Sequence, residues 1–113
     1  MHLEIELIVE NSEHALCGNM SPDACRIALA QIDSASKSIR ALWTLALEDQ
    51  LTSNARSDFP GEDYFSEKLS GLVSFARMAL GVEDRLSYSD AFILENVRHF
   101  ASRVQSIIGD IER

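Results

Sequence analysis

The sequence predicts an all-α fold, a small up-and-down bundle of four helices in one domain spanning 1–113, and three observations carry that prediction. Apolar residues recur at alternating spacings of three and four through most of the chain, the period of a helix with one covered face. Both prolines and Gly18, Gly61 and Gly81 fall at the joints between those periodic runs. Only residues 1–17 alternate like a strand, and no second segment offers a matching alternation to pair with.

In residues 1–17, Leu3, Ile5, Leu7 and Val9 alternate with His2, Glu4, Glu6 and Ile8, yet a lone strand leaves its backbone groups unpaired. Read as a helix over 2–17, Ile5, Ile8, Val9, Ser12, Ala15 and Leu16 form one face and Gly18 supplies the left-handed stop. Helix is the reading adopted, with a strand exchanged between the two chains of a dimer as the alternative.

The run from Pro22 to Thr52 organises the rest. Ser21 can accept from the first free backbone donors, Pro22 fits the first helical position, and Asp23 favours the positive end of the helix dipole. Cys25, Leu29, Ile32, Ser36, Ile39, Trp43 and Ala46 trace its seam, with Ala28, Ala35 and Leu42 alongside. One narrow strip, Arg26, Asp33, Lys37, Arg40, Thr44 and Glu48, reads as wet, and Asp33 to Lys37 has the favourable acid-before-base spacing. At 1.5 Å per residue this helix is about 45 Å long.

Residues 53–61 collect turn formers and read as the longest loop, with Phe59 as a clasp over the bundle end. A helix over 63–80 follows, its seam made by Phe65, Leu69, Leu72, Val73, Ala76, Ala79 and Leu80, and Gly81 ends it. The last helix, over 88–111, starts near Ser87 or Ser89 and carries Leu94, Val97, Ala101, Val104, Ile108 and Ile111, flanked by Ile93, Phe100 and Ile107.

Ten basic against eighteen acidic residues give a formal charge of −8, which repels phosphate backbones and anionic membranes and suits docking on a basic protein partner. Direct nucleic-acid and membrane binding are therefore not expected. Cys17 and Cys25 complete no metal or redox motif and read as buried free thiols, and the acidic N-terminus does not resemble a signal peptide, so a reducing cytoplasm is the expected setting.

The pairs Glu10 with His14 and Glu95 with His99 have a spacing at which two side chains could share an ion. Di-iron bundles use Glu-x-x-His instead, and the seam of the last helix turns His99 toward solvent. Glu10 with Glu13 resembles one acidic pair of the helical nucleotide pyrophosphatases, but Glu48-Asp49, Glu62-Asp63 and Glu83-Asp84 are adjacent doublets that diverge on a helix. No metal or cofactor is expected, no catalytic residue is assigned, and no glycine-rich phosphate loop is present.

Aromatic residues off the main seams carry the functional reading. Tyr64, Gly71, Phe75 and Met78 form a second stripe on the third helix, and with Tyr88 and Phe92 they are the expected contact surface of a homodimer or partner, the alternative being that these aromatics are the second side of the four-helix core. The expected function is that of a non-enzymatic binding protein, such as an inhibitor, immunity protein, phage antagonist or adaptor. A metal- or nucleotide-dependent helical-bundle enzyme is the alternative.

Overall fold

The computed structural model describes residues 2–18, 20–53 and 62–111. Among the described residues four helices account for the regular structure: α1 (His2–Leu16), α2 (Pro22–Ser53), α3 (Glu62–Leu80) and α4 (Asp90–Ile111). The N-terminal segment is helical, as its self-satisfied backbone favours. The expected loop begins later than Ser53, which still belongs to α2, and residues 54–61, with Phe59, lie outside the described residues.

The helix ends are written in local chemistry. The Ser21 hydroxyl accepts from the Ala24 amide at 3.1 Å, and the Ser89 hydroxyl from the Phe92 amide at 3.1 Å, so both serines cap the helices that follow. At the end of α3, Gly81 sits at φ 78°, its amide donates to the Met78 carbonyl, and the Val82 amide donates to the Arg77 carbonyl. That pair of bonds is the Schellman stop. Gly18, at φ 72°, ends α1 with an amide bond to the Ala15 carbonyl.

Cross-helix contacts give the directions. Along α2, Asp33 meets Arg77, Arg40 meets Ser66, and Trp43 stacks on Phe65, so α3 runs backwards as α2 runs forwards. Phe75 meets Phe92 while Gly71 lies against Phe100, which makes α3 and α4 antiparallel too. The section of the bundle is a rhombus rather than a square, because α1 touches all three other helices whereas α2 and α4 scarcely meet. At 32 residues, α2 spans about 48 Å and matches the longest dimension of the molecule, 48 Å.

One hydrophobic core joins all four helices, with Ile5 and Ile8 from α1, Ile32 and Ile39 from α2, Leu69 and Leu72 from α3, and Val97 and Val104 from α4 fully buried. Ala28, Ala35, Ala76 and Ala101 are buried among them and allow close helix approach. Ser12 is fully buried, and its hydroxyl donates to the Ile8 carbonyl at 2.8 Å, which removes the cost of placing it there. The thiols depart from expectation: Cys17 is exposed because it falls past the last turn of α1, and Cys25 is half-buried with its sulfur 4.0 Å from that of Met20.

The strip of α2 read as wet is only partly so. Asp33 pairs with Arg77 of α3 at 3.4 Å, a cross-helix partner that the i,i+4 spacing to Lys37 gave no sign of.

Trp43 and Phe65, the largest fully buried side chains among the described residues, stack with ring centroids 4.5 Å apart and planes within 11°. Truncating either ring to alanine should destabilise the protein by about 3–5 kcal/mol. In denaturant unfolding the double variant should reveal about 0.5–1.5 kcal/mol of coupling between them.

Candidate protein-binding face

On α3, residues 64, 68, 71, 75 and 78 share one side, and on α4 residues 92, 96 and 100 share the side that meets it. Both sides flank the core stripes, and Phe75, Met78 and Phe100 are partly buried against the core. Where they meet, the rings form a continuous ladder. Phe75 is its centre, stacked on Tyr88 at 5.9 Å and on Phe100 at 5.9 Å and edge-on to Phe92 at 6.1 Å. Tyr88 and Phe92 are themselves 4.6 Å apart. At the other end, the Lys68 ammonium lies 5.0 Å from the Tyr64 ring and 5.7 Å from Phe100, so one cation links Tyr64 to the cluster.

Five of the six residues singled out from the sequence therefore have a defined place in this ladder: Tyr64 at one end, Gly71 beneath it, Phe75 at the centre, and Tyr88 and Phe92 at the other end. Met78, like Phe75 and Tyr88, is half-buried and packed against the core. Gly71 has an intramolecular use, since a Cβ there would sit 2.7 Å from the Phe100 ring. Its missing side chain is what lets α4 lay that ring across α3. Lys68 and Phe100 complete the ladder and were not singled out. Lys68 stands four residues after Tyr64, a spacing that could have placed it, whereas Phe100 is assigned to its helix's inner flank by periodicity alone.

The ladder is covered on its inner side and open on its outer one. Phe92 is 41% exposed and Tyr64 43% exposed. At the corner between α3 and α4, Val82 and Leu86 add exposed aliphatic surface. Leu86 is held at φ 56°, a left-handed conformation in which its amide donates to the Asp84 carboxylate at 2.9 Å. A large aliphatic residue in that region costs about 1–2 kcal/mol. Arg85 braces the corner by donating to the Tyr88 carbonyl at 3.3 Å and pairing with Asp90. The corner's other acids, Glu83 and Asp84, stay exposed.

The chemistry considered from spacing is distributed differently. Glu10 and Glu13 line a groove of about 430 Å³ between α1 and α4, where Glu13 is tied to Arg98 at 3.0 Å. His14 is exposed, and His99, exposed on α4, sets its ring edge-on to Phe100 at 5.4 Å. Among the described residues no group of three His, Cys, Asp or Glu side chains could hold a metal ion. Nor is any helix there long and apolar enough to cross a membrane. No family model, curated protein or solved structure matches the chain.

Stability measurements on three substitutions check this geometry. Gly71→Ala gains about 1 kcal/mol of helix propensity but must displace a ring wedged between Phe75 and Lys68, at about 1–3 kcal/mol, so a net loss near 1 kcal/mol is expected. Gly109→Ala, which meets nothing within 4 Å, should instead gain up to about 1 kcal/mol. Leu86→Asn should stabilise the protein by about 0.5–1 kcal/mol, because asparagine tolerates the left-handed conformation better.

Proposed function

We propose that the protein works by binding other proteins rather than by turnover, in the manner of inhibitors, immunity proteins, phage antagonists and adaptors, and that two copies pair through the α3–α4 face. The observation that carries this reading is the aromatic ladder, whose outer edges at Tyr64 and Phe92 remain in water while its inner side is packed. Aromatic residues and methionine are the side chains that protein interfaces concentrate at their centres. Leu86 supports the same reading, since its left-handed backbone presents an aliphatic side chain to solvent at a cost to stability.

Charge refines the choice of partner. Each copy carries −8, so pairing of like copies must be driven by apolar burial, and the acidic surface left outside suits a basic protein. The setting proposed is the cytoplasm, in keeping with two free thiols, one of them exposed.

Light scattering tests the pairing. The wild-type chain is expected to be dimeric at tens of micromolar, with the dimer tightening as salt screens the acidic surfaces. Phe92→Glu should yield a monomer with an unchanged helical circular dichroism spectrum, since this ring is already partly in water, and should weaken association by about 2 kcal/mol or more. A wild-type chain that stays monomeric at several hundred micromolar ends the dimer reading.

A further inference from the structure

Half a turn around α3 from the aromatic ladder, α3 and α2 flank a solvent-open cleft of about 240 Å³. Its wall is unusual for an acidic chain. Two of the ten basic residues, Arg40 and Arg77, line it together with the hydroxyls of Ser36, Ser70 and Ser74. The antiparallel register puts Arg40 toward one end, where it meets Ser66, and Arg77 toward the other, where it meets Asp33.

The two ends differ in charge. Arg77 shares its end with the Asp33 carboxylate and with Glu83, which accepts from Ser74. Arg40 has no carboxylate partner among the described residues. Its guanidinium lies 5.8 Å from the Phe65 ring, and one nitrogen donates to the Ser66 hydroxyl at a long 3.4 Å. Phe65 is fully buried and stacked on Trp43, so the platform under this cation is fixed. A guanidinium has five N–H donors in a planar fork that matches carboxylate and phosphate oxygens, and Arg40 commits one of them weakly.

We propose that the α2–α3 cleft is a binding site for a small oxyanion of the phosphate or carboxylate class. Arg40 takes the anionic group, Ser36 and Ser70 donate hydroxyls to it, and the mixed-charge Arg77 and Glu83 end receives a polar, hydrogen-bonding remainder of the same ligand. The planar Arg40 fork with two hydroxyls beside it offers more donors than a carboxylate's two oxygens need, which favours the doubly charged phosphate. Flanked by Glu83, the far end disfavours a second anionic group there.

Inorganic phosphate and acetate, each titrated at constant ionic strength against sodium chloride into isotopically labelled full-length protein and followed by amide NMR, test the site. Saturable shifts are expected at residues 36–40 and 70–74 with a millimolar midpoint, phosphate binding tighter than acetate. A tighter acetate midpoint still supports the site and assigns it to carboxylates. Arg40→Gln should weaken either anion at least tenfold, whereas Arg98→Gln, in the α1–α4 groove, should change nothing. If Arg40→Gln fails to fold, Ser70→Val, which replaces a cleft hydroxyl with a methyl, is expected to weaken binding in its place. Shifts that chloride reproduces, shifts that do not saturate, or an Arg40→Gln protein that binds like wild type would overturn the proposal.

Discussion

The stack of Trp43 on Phe65 sets the register on which the other α2–α3 contacts depend. Two large flat rings, both fully inside and nearly parallel, leave no room for α3 to slide along α2 without opening a cavity. Once they are in place, Ser66 comes opposite Arg40, and Arg77, three turns along, comes opposite Asp33. These polar contacts are long and at least partly exposed, so each contributes little by itself. They report the register; the rings impose it.

From that fixed position α3 serves three surfaces. Phe65, Leu69, Leu72 and Ala76 face the core, Ser70 and Arg77 face the cleft with α2, and Tyr64, Lys68 and Phe75 face outward beside α4. A helix of 19 residues can do this because its core stripe needs about a third of its circumference. Gly71 is the position where two of these demands would collide, and removing its side chain lets Phe100 lie over the helix without pushing α4 off the core.

Much of the architecture was legible because it is locally encoded. Ser21 before Pro22, Gly18, Gly81 and Ser89 each act on backbone groups within a few residues, and each ends or starts a helix where its chemistry indicates. Seams such as Ile5 with Ile8, or Val97 with Ala101 and Val104, follow from periodicity and are buried as expected. What could not be read depends on which helix lies opposite. Asp33 has a suitable base four residues on, yet it pairs with one 44 residues away. Ser36 lies on the apparent seam of α2 but lines a cleft, since the true core stripe runs through Ala28, Ala35 and Ile39. Phe100 belongs by period to the inner flank and by contact to the outer ladder. The left-handed backbone at Leu86 has no sequence signal, because leucine is not a residue that favours it.

The Schellman stop at Gly81 and the serine cap at Ser89 bracket a connection of nine residues between the two helices that pack most extensively. In kinetic terms, a short connection between two extensively packed helices keeps the loop-closure cost of their pairing small. Contact order alone therefore favours early pairing of the α3–α4 hairpin. By contrast α1 must find α4 across the whole sequence, as the 85-residue separation of Glu13 and Arg98 measures.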